Sequence, residues 1–344
     1  MQALTEREAS VLTAIIHAHT EFAEPVGSRT IARQYLTDLS PATIRNTMMD
    51  LEELGLLASP HTSAGREPTV VGYRLYLNSL MEPPRLNTAD RRLLDRVLTE
   101  RERISSRDAD TVLMHIARAL ANVSHLISVA FLPSFDSAVL ERIELVPLAE
   151  NCVLVVLQVR SGPVHTLTLE MTEPVKGNLL AETTSVLNER LSGHTIGEIR
   201  RTIGERLSGV SKGDRQVIKV FLREGENIFD LDARTNVILE GRLNIFQQPE
   251  FADHERLVEF MRLLDDRPLI QELRRRGSAR NVQVSVGSEN TIRELSTCSL
   301  LTRGYRVGLL SGTLAIVGPM RMPYRRLVAV LEHAGQVVET LMRS

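Results

Sequence analysis

Apolar residues recur at helical spacing through the first 55 residues, in three runs separated by turn residues. Thr5 and Glu8 have the spacing of a capping box, which predicts that the first helix begins after Thr5. The apolar positions of this helix are Val11, Leu12, Ile15, Ile16 and Phe22. Residues 25–27 (Pro-Val-Gly) end it, and Ser28 is predicted to cap a shorter second helix. Ser40, followed by proline, predicts the start of a third helix, since serine caps helix N-termini and proline favours the first helical position.

The segment after the third helix has the pattern of a β-hairpin. The helix ends near Gly55, and residues 56–58 are apolar. Residues 59–66 form a polar loop with Gly65 at its bend, and Pro68-Thr69 begins the return strand. Three helices followed by a hairpin is the plan of a winged helix-turn-helix. The sequence therefore predicts this fold for the N-terminal domain.

The rest of the chain changes its period twice. Two prolines in residues 81–84 predict a stiff linker, and two helices follow before residue 126. Residues 126–171 have the pattern of strands, residues 178–277 are mainly helical, and strands return after them. A last helix is predicted from about Tyr324 to Met342. Strands on both sides of a helical block predict an α+β multidomain protein, in which an α/β domain is interrupted by a mainly helical insertion.

Composition narrows the class of protein. The 344 residues are 43% apolar and 24% charged, with a formal net charge of −2, which is typical of a folded soluble protein. Cys152 and Cys298 are the only cysteines, too few for a disulfide framework, which favours a reducing compartment. Residues 6–8 are charged and lie where a signal peptide would have its apolar core, so secretion is not expected. The longest apolar stretch is far shorter than the ~20 residues that a membrane-spanning helix needs. We therefore expect a cytoplasmic protein with no membrane association.

The third helix carries the clearest functional pattern. Its apolar stripe consists of Ile44, Met48 and Leu51, which leaves the opposite face open. The residues on that open face are Ala42, Arg45, Asn46 and Met49. In a helix-turn-helix such a face enters the major groove, where arginine pairs with guanine, asparagine with adenine, and an alanine methyl touches thymine. The alternative is an ordinary amphipathic surface helix, but the preceding turn and the following hairpin favour DNA binding.

Further candidates for DNA contact surround this helix. The hydroxyls of Thr30, Ser40 and Thr43 are suited to phosphates, which orient a protein on DNA without reading its sequence. The hairpin loop adds His61, Thr62, Ser63 and Arg66, with Arg66 expected at a phosphate or in the minor groove; a plain turn is the alternative. The first 80 residues contain nine acidic and six basic residues, although none of the acidic ones lies at 39–49 or 58–66. We therefore expect weak nonspecific binding and dependence on a dimer.

No pattern of catalytic or metal-binding residues emerges. The nine histidines are scattered, and His17 and His19 are two positions apart, on different faces of a helix. The glycines at 308, 312 and 318 lack the Lys-Ser/Thr of a phosphate-binding loop. Both cysteines are expected to be small core residues. The sequence therefore predicts a protein that is not an enzyme, with no catalytic residue, no metal site and no cofactor.

Several strings resemble a known family. They are EPVGSRT at 24–30, SPATIRN at 40–46 with DLEELG at 50–55, and PHTSAGR at 60–66 with PT at 68–69 and GYR at 72–74. GSEN at 287–290 and GPMRMPY at 318–324 also resemble family positions, whereas residues 178–275 match only in general pattern. On these strings the chain resembles the heat-inducible transcription repressors of the HrcA family.

The resemblance implies a repressor of heat-shock chaperone operons. It implies binding to an inverted-repeat operator as a homodimer, with the GroEL chaperonin promoting the active repressor. It also implies DNA contacts by the recognition helix, the wing and the flanking residues Ser28, Arg29 and Thr30. The implied domains are a winged helix-turn-helix at 1–80, a helical linker at 81–108, a GAF-like domain at 109–177 and 278–344, and an inserted dimerising domain at 178–277.

Two other functions are compatible with the same patterns. One is a ligand-gated winged-helix transcription factor that senses a small molecule through its GAF-like domain. The other is a structural protein that uses the winged helix for protein contacts, since that fold hosts such roles.

Overall fold

The N-terminal domain contains the three predicted helices. These are α1 (Glu6–Phe22), α2 (Ser28–Gln34) and α3 (Pro41–Glu53). The structure is a computed structural model, and it describes residues 4–60, 65–101, 109–135, 138–160, 164–210, 212–229, 237–264, 266–277, 279–307 and 310–343. The Thr5 hydroxyl accepts the Glu8 N–H at 3.3 Å and the Glu8 carboxylate accepts the Thr5 N–H at 2.7 Å, which confirms the capping box. Ser40 caps α3 as predicted. At α2 the cap is Gly27, and Ser28 is the first helical residue.

The predicted hairpin consists of two short antiparallel strands, β1 (Leu57–Ala58) and β2 (Glu67–Pro68). A helix that the pattern did not predict follows, α4 (Val70–Leu75), and the chain continues in a π-helical turn to Leu80. A Cβ atom at Gly72 would lie 2.2 Å from the carbonyl oxygen of Leu56. Only glycine therefore lets α4 pack this closely against the hairpin. Three helices and a hairpin confirm the winged helix-turn-helix architecture.

A five-stranded antiparallel sheet organises most of the remaining chain. Its strands are β3 (Ile127–Ser134), β7 (Val237–Glu240), β8 (Gln283–Val286), β9 (Cys298–Val307) and β10 (Leu310–Pro319). They are arranged in the order β7-β3-β10-β9-β8. We call this sheet and the helices that cover it the sheet domain.

Helices cover both faces of this sheet. They are α6 (Ala109–Ser124) and α12 (Tyr324–Arg343) on one side, and α10 (His254–Leu263) and α11 (Arg267–Arg276) on the other. Helix α5 (Thr88–Arg101) packs on α6 and α12. Along β10, Leu314 and Ile316 pack towards α6 and α12, while Ala315 and Val317 pack towards α10 and α11, and all four are fully buried. Burial on both faces explains why residues 314–317 of β10 are apolar without alternation. Cys298 lies in this core, and its burial raises the pKa of the thiol to about 12.

Between β3 and β7 the chain forms a separate unit with its own core. It contains the antiparallel strands β4 (Leu140–Ala149), β5 (Cys152–Val159) and β6 (Val164–Glu170), and the helices α7 (Gly177–Leu191), α8 (Ile196–Arg206) and α9 (Arg215–Ile228). The inner face of this sheet packs on the three helices. We call residues 138–229 the insertion. The sheet domain then resumes at β7.

These boundaries differ from those expected from the sequence. The sequence predicts the strands between 138 and 170 in the GAF-like domain, but among the described residues they form a sheet of their own and share one core with the helices of the insertion. Residues 237–277, expected in the insertion, contribute β7, α10 and α11 to the sheet domain. The insertion therefore contains a three-stranded sheet in addition to its three helices. Alternation of apolar and polar residues indicates a strand but not the strand with which it pairs. The boundary was therefore expected near residue 178, where the strand pattern gives way to a helical one.

A partly buried ion pair joins α5 to α12. The Arg326 guanidinium donates from Nε to Asp90 Oδ2 at 2.6 Å and from Nη2 to Asp90 Oδ1 at 2.8 Å. The Asp90 side chain is only 4% exposed. These hydrogen bonds from Arg326 hold the pKa of the Asp90 carboxyl below its usual value, against the opposing effect of burial. The pair therefore stabilises the folded state whenever the carboxyl is ionised.

Asp90→Asn is expected to lower the free energy of unfolding by about 1–3 kcal/mol at pH 7, the usual contribution of a charged hydrogen bond. Because the folded pKa of Asp90 is lowered, its contribution is present above the unfolded carboxyl pKa of about 3.9 and is lost as pH falls through the folded value. Urea unfolding at pH 7 and at pH 3 should therefore show a difference from wild type that shrinks in acid. The exposed Asp38→Asn serves as control; an equal effect there would contradict the role of the pair.

Candidate nucleic-acid interface

An open groove of about 660 Å³ lies between the start of α2, the exposed face of α3 and the hairpin. The residues that line it are Val26, Gly27, Ser28, Arg29, Pro41, Ala42, Arg45, Asn46, Met48, Met49, Gly65 and Arg66. Three of them are arginines and none is acidic. The groove thus combines positive charge with a concave shape, although the first 80 residues are acidic as a whole.

Helix α3 presents the face that its sequence predicts. Ile44 and Leu51 are fully buried, and Met48 is 5% exposed. Ala42, Arg45 and Asn46 are exposed, and so is Met49 at 50%. The helix buries one additional residue, Thr47, whose hydroxyl donates to the Thr43 carbonyl at 3.2 Å. The open face therefore offers a guanidinium, a carboxamide and two apolar side chains to the groove.

The hydroxyls at the start of α3 contact each other. Ser40 Oγ accepts the Thr43 N–H at 3.1 Å and lies 2.9 Å from Thr43 Oγ1. Ser40 is exposed and Thr43 is half-buried. Both hydroxyls therefore stabilise the helix terminus, and they remain at the edge of the surface that α3 presents.

The start of α2 forms the opposite wall of the groove. Ser28 is half-buried and Arg29 is exposed, and both line the groove. Thr30 is half-buried, and its N–H donates to the Gly27 carbonyl at 3.0 Å. The structure thus brings Ser28 and Arg29 next to α3, with Thr30 one position further along α2.

The hairpin is joined to the turn before α2 by its backbone. Val26 and Arg66 exchange hydrogen bonds, from Val26 N to Arg66 O at 2.8 Å and from Arg66 N to Val26 O at 2.9 Å. A Cβ atom at Gly65 would lie 2.4 Å from the Val26 carbonyl carbon. Glycine is therefore required here by close approach of two backbones rather than by a bend. The loop residues His61, Thr62 and Ser63 lie outside the described residues.

Arg66 has a different environment from the one expected. Its Nε and Nη2 both lie 2.8 Å from Glu52 Oε2, and its Nη1 donates to Ser59 Oγ at 3.1 Å. The side chain is 22% exposed. Arg66 thus ties the hairpin to α3, and it reaches the groove with an acidic partner already bound. The partner was missed because no local spacing connects residues 14 positions apart.

Clustered metal ligands and membrane-spanning helices are absent from the described part of the chain. Its histidines, cysteines and acidic residues form no group of three or more that could hold a metal ion. None of its helices is long and apolar enough to cross a membrane.

Comparison with known proteins identifies the family of both parts of the chain. The family described as "Winged helix-turn-helix transcription repressor, HrcA DNA-binding" matches residues 3–81, and "HrcA protein C terminal domain" matches residues 110–328. A heat-inducible transcription repressor HrcA of Halalkalibacterium halodurans is 33% identical over 340 residues, which cover 98% of each chain. One of Chlorobium chlorochromatii is 36% identical over 342 residues, covering 98% of this chain and 97% of the relative.

One solved structure supports the fold over the whole chain. It was described as a hypothetical protein at 2.2 Å resolution, and it has a TM-score of 0.57 at 22% identity, covering 99% of both chains. The sequence relatives over almost the full length and the two matching family domains are all those of transcription repressors, which are not enzymes. The chain belongs to the HrcA family of heat-inducible transcription repressors, which are DNA-binding regulators.

Proposed function

We propose that this chain represses heat-shock chaperone operons in the cytoplasm by binding an inverted-repeat operator as a homodimer. The observation that carries the proposal is the groove beside α3, whose lining contains Arg29 and Arg45 together with Arg66, the last of them paired with Glu52, and no acidic residue. Arginine and asparagine on an exposed helix face are the side chains that read guanine and adenine in the major groove. A sequence-reading role for this face fits a family of DNA-binding repressors.

Each groove residue receives a role from its chemistry. Arg45 and Asn46 are assigned to base edges, while Ala42 and Met49 make apolar contacts with thymine methyl groups. The residues assigned to phosphates and sugars are Ser28, Arg29, Thr30, Ser40 and Thr43, joined by His61, Thr62 and Ser63 of the wing loop. Arg66 is assigned to hold the wing against α3 through its ion pair with Glu52. A DNA phosphate that contacts Arg66 would share the guanidinium with the Glu52 carboxylate.

The insertion is proposed to carry the homodimer interface. The outer face of its sheet has an apolar patch, formed by Leu154 and Val156 on the central strand and the exposed Val146 and Leu148 on β4, next to the polar Arg142, Glu144 and Gln158. An apolar sheet face that its own helices do not cover is suited to pairing with a second copy of itself about a twofold axis. An inverted repeat has the same symmetry, so one dimer fits one operator.

The GroEL chaperonin is proposed to favour the DNA-competent state of this repressor. A partner that binds one state more tightly raises its population, and therefore the apparent operator affinity, only while the partner is free. Unfolded proteins that occupy the chaperonin during heat shock would then relieve repression. The sheet domain, as the GAF-like unit, is assigned to couple the winged helix to the insertion.

The test is fluorescence anisotropy of a labelled inverted-repeat operator against a base-shuffled duplex, titrated with salt, with and without chaperonin. Specific binding that weakens steeply with salt and strengthens with free chaperonin is the expected result, since phosphate contacts release counterions. Equal weak binding to both duplexes would contradict the repressor function. Specific binding without a chaperonin effect would contradict only the proposed regulation by the chaperonin. The metabolite-sensing alternative stays a prediction, and it would be favoured by a thermal shift with small molecules.

A further inference from the structure

Three segments far apart in the sequence meet where the winged helix contacts the sheet domain. They are residues 72–74 in α4, residues 287–290 after β8, and residues 318–324 from the end of β10 to the start of α12. The same strings carry the family resemblance, yet none of them lines the groove. Their role therefore lies outside the groove, in the contacts that they make with one another.

The central contact is an ion pair between the two domains. Arg74 Nε donates to Glu289 Oε1 at 2.7 Å, and Arg74 Nη2 donates both to Glu289 Oε2 and to the Val284 carbonyl, the latter at 2.8 Å. Both side chains are about one third exposed, at 32% and 30%. A bidentate guanidinium–carboxylate pair fixes direction as well as distance, unlike a contact between point charges.

Hydrogen bonds within the sheet domain fix the position of Glu289 independently of Arg74. Its Oε2 accepts the Val286 N–H at 2.8 Å across a short 3-10 turn, and Arg276 donates to its carbonyl at 3.0 Å. The next residue, Asn290, is buried, and its Nδ2 donates to three backbone carbonyls at 2.9–3.0 Å. The carboxylate is therefore a fixed point on the sheet domain.

Apolar packing next to the ion pair brings the two domains close together. Tyr73 is fully buried, and its ring meets that of Tyr324 edge-on with centroids 5.8 Å apart. A Cβ atom at Gly287, where φ is +53°, would lie 2.6 Å from both Met320 Sδ and Val70 Cγ2. The winged-helix core and the α6–α12 side of the sheet domain thus form one continuous apolar cluster.

A hydrogen bond connects this contact to α1. His19 Nδ1 lies 2.8 Å from the Tyr73 hydroxyl, and burial lowers the pKa of His19. On the other side, Gly72 lets α4 lie against Leu56 at the base of the hairpin. Through α4, the ion pair is therefore linked to α1, which packs on α3, and to the wing.

We infer that Arg74 is a positioning residue that fixes the direction of α3 relative to the sheet domain, so that a dimer presents its two recognition helices at one spacing and one rotation. The inference rests on the proposed binding of a homodimer to an inverted repeat. A rigid connection raises the affinity for two correctly spaced half-sites without adding a contact to DNA. We call Arg74 and Glu289 the clasp.

The test compares Arg74→Met, Glu289→Gln and the double variant, with Arg118→Met as matched control. Arg118 pairs with Glu240 at 3.2 Å within the sheet domain, so its loss removes an ion pair without touching the junction. Three duplexes are used, namely the inverted repeat, a single half-site, and the inverted repeat with one extra base pair in its spacer. One base pair rotates the second half-site by about 35° along the duplex.

Arg74→Met is expected to bind the inverted repeat about tenfold more weakly and the half-site within twofold of wild type, since only the linkage between sites is lost. The extra base pair should cost the variant less affinity than it costs wild type, because a loosened domain follows the rotated site. The double variant should be no weaker than either single variant, as expected when both residues act through one contact. Arg118→Met should behave as wild type on all three duplexes.

An equal loss on the half-site, or an unchanged penalty for the extra base pair, would overturn the clasp. Wild type that binds the inverted repeat no better than the half-site would instead contradict the proposed homodimer on its operator. In that case, hydrogen exchange of the free protein decides on the clasp. Faster exchange of the amides of residues 70–81 in Arg74→Met than in Arg118→Met supports it, and equal exchange overturns it.

Discussion

Leu154→Arg is expected to sediment as a monomer and to lose about a hundredfold or more of operator affinity. Leu154 lies in the middle of β5 on the outer face of the insertion sheet, directly opposite Val146. A guanidinium at this position would be buried without a partner if two such faces met, which costs more than the apolar contact gains. Without the dimer each half-site is bound separately, and the gain from linking two sites, on the order of 10²–10⁴, is lost.

Sedimentation velocity and fluorescence anisotropy measure the two effects in the same preparation. Leu243→Arg is the matched control, since Leu243 is 76% exposed in the sheet domain and receives the same change in charge and size. We expect the control to remain a dimer with wild-type affinity. A Leu154→Arg variant that sediments as a dimer would move the interface away from this sheet face.

Arg45→Ala is expected to weaken operator binding by about 1–3 kcal/mol, or roughly tenfold to a hundredfold, the contribution of one bidentate base contact. The side chain is exposed on α3 and lines a groove without carboxylates. Because the lost contact is to a base, discrimination at one base pair should relax while the slope of affinity against salt changes little.

Anisotropy against the operator and its single-base variants, at three salt concentrations, measures both properties. Arg7→Ala removes an exposed arginine from α1, outside the groove, and should leave affinity and specificity unchanged. A uniform loss across all operator variants, with a shallower salt slope, would reassign Arg45 from a base to a phosphate.

The N-terminal domain was predictable because its signals are local. Thr5 with Glu8, and Ser40 before a proline, mark helix starts within four residues, and both caps are present in the structure. The faces of α3 follow from a period that the third helix keeps over its whole length. Of the candidate site, the open face could therefore be predicted, whereas the partner of Arg66 could not.

Contacts across long sequence distances were the part that could not be predicted. Arg74 and Glu289 are 215 residues apart, and no periodicity connects a basic residue after the hairpin with an acidic residue after β8. The limits of the insertion were missed for the same reason, since β4, β5 and β6 look like any half-buried strands until their partners are known. A sequence pattern records which face of an element is buried but not which element covers it.

The way the insertion is attached has a consequence for folding. Its first and last residues, Ala138 and Phe229, are both fully buried in the same core, and the strands on either side, β3 and β7, are hydrogen-bonded neighbours. Pairing β3 with β7 around a disordered chain of this length would carry the entropy of closing a long loop. Once the insertion has folded, its own core holds its two ends, and the remaining closure involves only short segments. The folded insertion thus connects β3 and β7 as a short turn would. We expect it to fold before β7 pairs with β3.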